Sequence, residues 1–190
     1  MIVNIRNSLI FIVFVFFTAG CGGETIPTPQ QRLDKAKKEL TQAKTESDRF
    51  YALGRAAKES VGLGKTDDAK KWATELGGLI PKYVKDWNYG NAIQDSNLVL
   101  GRIDVIEGRI PEAKKHLIEA GKSPGSPQMN SFGPNMSLAK DLLEKGEREV
   151  VLEYFELCRK FWTLGSESLD KWTQNVKAEL MPDFGGNLLY

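Results

Sequence analysis

Residues 98–113, LVLGRIDVIEGRIPEA, set a small residue at Gly101, a glycine seven positions on at Gly108 and a small apolar residue five further at Ala113. A glycine just past the last apolar turn closes a helix, because it adopts the left-handed conformation at little cost. Pro111 and Glu112 then suit the first turn of a second helix, where a proline sacrifices no hydrogen bond. Small side chains at Gly101 and Ala113 let the two helices cross closely. The stretch therefore predicts a helical hairpin. The same spacing recurs at Ala57/Gly64/Ala69 and at Ala139/Gly146/Val151. Three such hairpins predict an all-α stack, and stacks of this kind commonly bind other chains.

Outward from these units, Leu33, Ala36, Leu40 and Ala43 fall on one helical face of residues 30–44 and predict an N-terminal capping helix. The first hairpin is expected from Glu46 to Val61 and from Thr66, read as an N-cap, towards Pro81. The third is expected over residues 135–145 and 147–162, with Gly165 ending it. Leu169, Trp172 and Val176 then mark a C-terminal capping helix over residues 167–180, stopped by Pro182. The closing residues, 183–190, are read as an irregular tail that either packs back or engages a partner.

These units resemble the tetratricopeptide repeat (TPR) family. Leu100-Gly101, Ala113, Leu117 and Ala120 match its pattern in the second unit, Ala57, Ala69, Ala73 and Pro81 in the first, and Leu138-Ala139, Val151, Phe155 and Cys158 in the third. The resemblance covers residues 50–162 and implies a right-handed solenoid of about three helical hairpins. It departs in repeat spacing, 44 and then 38 residues, and in Asn97 and Asn135, where the family often carries an aromatic. The extra length falls in residues 82–91 and 122–134, where protruding loops are expected.

The first 21 residues predict an address. Arg6 precedes an apolar run from Leu9 to Phe17, too short to cross a bilayer and suited to a signal peptide. Thr18-Ala19-Gly20-Cys21 resembles the lipobox of bacterial lipoproteins. That resemblance implies cleavage before Cys21, lipidation of it, and anchoring in the bacterial envelope. Gly22 in place of a retention aspartate implies the outer membrane facing the periplasm, if the cell has two membranes. The expected organisation is residues 1–20 as signal peptide, 21–30 as lipidated tether, 31–164 as repeat domain and 165–190 as capping helix and tail.

Arg6 is the one charged residue in the first 20, and without it 26 basic and 25 acidic residues balance. No basic excess points to nucleic acid. Cys158 has no second cysteine beyond the anchor, so no internal disulfide is expected. His116 is the only histidine and is expected on an outward face, one residue before the core Leu117. No metal site or cofactor is expected from this inventory, and catalysis is not expected.

Two surfaces are candidates for binding. The family frame implies that Lys58, Arg102 and Lys140 line the concave groove, one basic residue per repeat, for an acidic segment or a carboxylate. The asparagines that accompany such cations in the family are missing from this frame, and solvated helix charges are the simpler account of these residues. The inserted loops offer Tyr83, Trp87 and Tyr89, then Asn130, Phe132 and Asn135. These either anchor a partner or fill space between irregular repeats. The expected function is a lipid-anchored scaffold or adaptor for a protein or peptide. The alternatives are an envelope enzyme or accessory factor acting on cell-wall or lipid material, and a structural subunit of an envelope complex.

Overall fold

The computed structural model describes residues 27–189, so the expected signal segment and Cys21 lie outside the described residues. Among the described residues the chain is all helical, without strands. The helices are α1 (Pro29–Gln42), α2 (Glu46–Gly62), α3 (Thr66–Leu79), α4 (Tyr89–Ile106), α5 (Ile110–Gly121), α6 (Pro127–Phe132), α7 (Ser137–Leu143), α8 (Arg148–Cys158) and α9 (Ser166–Lys177).

Local chemistry sets many of these boundaries. Thr28 and Thr45 each close a capping box, with Gln31 and Asp48 reaching back to the cap backbone. Helix α1 thus begins inside the stretch expected to be tether. Thr66 is the first residue of α3 rather than its cap, while Asp67 and Asp68 occupy the first turn as anticipated.

The three hairpin glycines behave alike. Gly64, Gly108 and Gly146 have φ of 70°, 78° and 83°. After each, the next amide reaches back five residues, Lys65 to Ser60 O at 2.9 Å, Arg109 to Asp104 O at 2.8 Å and Glu147 to Leu142 O at 3.0 Å. This is the glycine stop of a helix, made three times with one geometry. Ala57, Ala69, Ala113, Ala139 and Val151 are fully buried. A Cβ on Gly101 would lie 2.4 Å from a Leu138 methyl, so its missing side chain is what lets α7 come close to α4.

The pairs α2–α3, α4–α5 and α7–α8 pack side by side, and their first helices touch in sequence, α2 on α4 and α4 on α7. Helix α1 lies on α2, and α9 on α8. Two apolar cores result. One gathers Leu33, Phe50, Leu53, Trp72 and Ile103 from α1 to α4, and the other gathers Leu117, Leu142, Phe155, Trp172 and Phe184 from α5 onward. Helix α4 contributes to both and joins the halves.

The second insertion does not protrude as expected. Ser123, Ser126, Met129, Met136 and the whole of residues 133–136 are buried, and α6 lies against α4. A Cβ on Gly90 would lie 1.8 Å from the Gly125 carbonyl oxygen, so this loop runs backbone to backbone against the start of α4. The third hairpin is shorter than anticipated, since α8 stops at Cys158 and the chain turns through Thr163–Gly165. The tail packs back: Phe184 is buried with its ring 5.0 Å from that of Trp172, whose indole N–H donates to Asp183 O at 2.9 Å.

Candidate functional site

The row of first helices, closed by α1 and the loops, bounds a cleft of about 700 Å³. Helix α1 supplies Gln31, Arg32 and Lys35, α2 supplies Tyr51, Gly54, Arg55, Lys58 and Glu59, and α4 supplies Asn91 and Asp95. Trp87, Asn88, Gln128 and Leu189 also line it. Gly54 leaves room for Asp95, whose carboxylate oxygen would lie 2.6 Å from a Cβ there. A smaller pocket of about 100 Å³ continues the cleft along α2 and α4, bordered by Arg32, Lys58, Arg102, Leu188 and Leu189.

Lys58 and Arg102, expected as groove cations, both face these cavities, and each bonds the next first helix. Lys58 meets Asp95 at 2.8 Å, and Arg102 meets Asp141 at 2.7 Å. Both pairs are partly shielded, so each cation also clamps neighbouring helices together. Lys140 does not join them. It borders neither cavity and pairs with Glu144 one turn along its own helix, at 2.5 Å. The ladder of three is thus a clamp of two plus a surface pair.

The loop candidates divide as well. Tyr83 is half-buried and stacks on Phe50, with ring centroids 4.2 Å apart, so it fills space. Tyr89 is half-buried at the start of α4 and borders neither cavity. Trp87 is 57% exposed and stacks on Tyr51 at 5.6 Å and 20° between planes, while the Tyr51 hydroxyl donates to Asp86 at 2.6 Å. That hydrogen bond to a carboxylate is the main reason the Tyr51 hydroxyl holds its proton above the ordinary phenol value.

In the second insertion Asn135 is buried and structural, its amide N–H donating to Gln94 Oε1 at 3.0 Å and its carbonyl accepting from the Tyr154 hydroxyl at 3.0 Å. Asn130, once its amide is turned to donate, reaches the carbonyls of Ser126 and Phe161. Phe132 is 58% exposed beside the tail, and its carbonyl accepts from the Asn187 side chain. Neither Asn130 nor Phe132 borders the cleft.

Several site residues escaped the sequence reading. Asn91 is buried, and its amide nitrogen donates to Asn88 Oδ1 at 2.9 Å and Gln128 Oε1 at 3.0 Å, while Ser126 Oγ donates to Asn91 Oδ1 at 2.6 Å. This network joins α4 to the second insertion at the cleft wall. The sequence signal was the Asn88/Asn91 spacing at a helix start, which by itself reads only as turn chemistry.

His116, expected to point outward, is half-buried between α4 and α5. Its Nδ1 lies 2.9 Å from Asn97 Oδ1 and its Nε2 3.6 Å from Asp104. Burial lowers its pKa, against the pull of Asp104 and Glu119. Cys158 is buried against Tyr154, and burial pushes its thiol far above the ordinary range. Among the described residues, no group of three or more His, Cys, Asp or Glu side chains is placed to hold a metal ion. No described helix is long and apolar enough to cross a membrane. Comparison with protein-family models, curated proteins and solved structures finds no match to this chain.

Proposed function

We propose that this chain is a lipid-anchored envelope protein of the TPR-like kind, whose helical hairpins form a short solenoid that binds a protein or peptide segment. The observation that carries the reading is the cleft itself. It runs along the row formed by the first helices of successive pairs, is walled by both aromatic and charged side chains, and is large enough for several residues of extended chain. Repeated glycine stops and buried small residues support the solenoid. The short apolar run and Thr18-Ala19-Gly20-Cys21 support the anchor, with Cys21 as lipid carrier, in an outer membrane facing the periplasm where the cell has one.

The test is photo-crosslinking in the living cell. A photoreactive residue replaces Trp87 or Arg55 in the cleft, or Lys115 on α5. Crosslinks to a discrete protein partner from the cleft positions, and none from position 115, are expected. Partners captured from position 115 alone would move the binding surface to the opposite side and favour a structural subunit held by its outer face.

A further inference from the structure

Chain length limits how far the cleft can stand from the anchor proposed above. The six residue steps from Cys21 to Pro27 span at most about 20 Å when fully extended. Pro27 in turn belongs to the cleft. It lines the wall, and its carbonyl accepts from Arg32 Nη1 at 3.1 Å, while Arg32 pairs with Glu59 of α2 at 2.8 Å. The end of the domain that a lipid on Cys21 draws towards a bilayer is therefore fastened to the rim of the cleft. Helix α5 contributes no residue to that wall and borders a separate pocket with Lys115 and Ile118.

The side chains around this rim suit a bilayer surface. Among the described residues the exposed aromatics are Tyr51, Trp87 and Phe132. Tyr51 and Trp87 line the cleft and stack on each other, and the Tyr51 hydroxyl is fixed on Asp86, so the pair is set in place before anything binds. Phe132 lies one helical turn past Gln128 of the cleft wall, and its carbonyl holds the Asn187 side chain. Two residues further on, Leu189 lines the cleft and is 77% exposed. A segment confined to the cleft leaves Phe132 uncovered, whereas a surface laid across the mouth covers all four. Amphipathic aromatic rings settle at the level of lipid headgroups. The cations beside them are already matched, Arg32 by Glu59, Arg55 by Glu39 and Lys58 by Asp95. The contact is therefore aromatic rather than ionic, and a short tether strengthens it by keeping the face within about 20 Å of the bilayer.

We infer that the mouth of the cleft rests on the bilayer that holds the anchor, with Tyr51, Trp87, Phe132 and Leu189 among its headgroups. This rests on the anchoring of Cys21 and adds the orientation of the domain. Trp87 borders the cleft and is 57% exposed, so it meets both the bilayer and a segment lying in the cleft. The segment bound there is consequently one that a partner presents at the membrane surface.

Trp87 supplies the reporter for the test, since Trp72, Trp162 and Trp172 are all buried. The full chain is produced in a bacterium, purified in detergent and reconstituted into phosphatidylcholine vesicles whose acyl chains are brominated near the headgroup end. Mass spectrometry first reads the acyl chains on Cys21. Bromolipid is expected to lower the Trp87 emission, taken as the difference between the parent and Trp87→Phe, by about half, with or without added phosphatidylglycerol. Moving the reporter to α5, in the double variant Trp87→Phe with Lys115→Trp, is expected to reduce the loss to less than about a tenth. Circular dichroism checks the fold, and Glu119→Trp replaces Lys115→Trp if that variant is unfolded. An acylated chain whose Trp87 is unquenched, or whose α5 reporter is quenched as strongly, overturns the orientation and leaves the anchor standing. Quenching that appears only with phosphatidylglycerol overturns the aromatic contact. A Cys21 without acyl chains overturns anchor and orientation together, and crosslinking from Arg55 still decides separately whether a protein partner exists.

Discussion

At the scale of the residue, two glycines that look alike in sequence carry different weights. Gly90 meets a backbone carbonyl that cannot rotate away, whereas Gly101 meets the flexible end of Leu138. Gly90→Ala must push the Ser123–Ser126 loop off α4, at a cost of about 1–3 kcal/mol or more. Gly101→Ala costs less, because Leu138 can turn and a helical alanine returns roughly 0.5–1 kcal/mol. Denaturant titration of the two variants checks the order, and an equal loss would contradict it.

His116 gives a signed dependence on pH. Burial lowers its folded pKa, so below the unfolded value of about 6.5 the unfolded chain takes up a proton more readily than the native one. Its contribution is fully present above that value and is lost as pH falls towards the folded pKa. His116→Gln is expected to shrink the fall in unfolding free energy between pH 7.5 and 5. A variant whose stability declines as steeply as the parent's would show that Asp104 and Glu119, which act in the opposite direction, cancel burial.

At the scale of the element, much of the helical plan was legible before the fold was known. Gly64, Gly108 and Gly146 declared their stops because the left-handed turn is a local demand of the backbone. Ala57, Ala69 and Ala113 declared helix crossings because small apolar side chains let helices approach closely, and all three are fully buried. Residues 122–136 misled for a matching reason. Their Ser, Pro, Gly and Asn composition reads as exposed loop, yet Ser123, Ser126 and Asn135 spend their polar groups on α4 and go inside. Composition cannot reveal partners brought from more than thirty positions away, and the cleft amides were hidden in the same way.

The tail is a further element whose role the structure decides. Phe184 packs among Phe155 and Trp172, and Asn187 ties the tail to the second insertion through the carbonyls of Phe132 and Pro134. Phe184→Ala is expected to cost about 3–5 kcal/mol, the usual range for a buried phenylalanine. At this chain length that lowers the melting temperature by roughly 2–4 °C per kcal/mol. A melting temperature unchanged in calorimetry would mean that the aromatic cluster closes without it.

At the scale of the whole molecule, α4 is the hinge of the account. It belongs to both apolar cores, carries Asn91 and Asp95 into the cleft, and receives the second insertion along its first turns. The family resemblance implies that Lys58 and Arg102 lie on this face, as ligand contacts or as solvated charges. Their carboxylate partners show that they also join successive pairs, so the free binding capacity lies with Trp87, Asn88, Gln128 and Lys35.

The central claim is that this face, and not the opposite one, receives a peptide. Nitrogen–proton correlation spectra recorded while a peptide from the crosslinked partner is added test it most directly. The account predicts shifts in the Trp87 indole, in the side-chain amides of Asn88 and Gln128 and in the backbone of α2 and α4, with the Lys115 and Glu119 amides unmoved. Shifts centred on Lys115 and Glu119, or none at a peptide excess that saturates any binding, would contradict it.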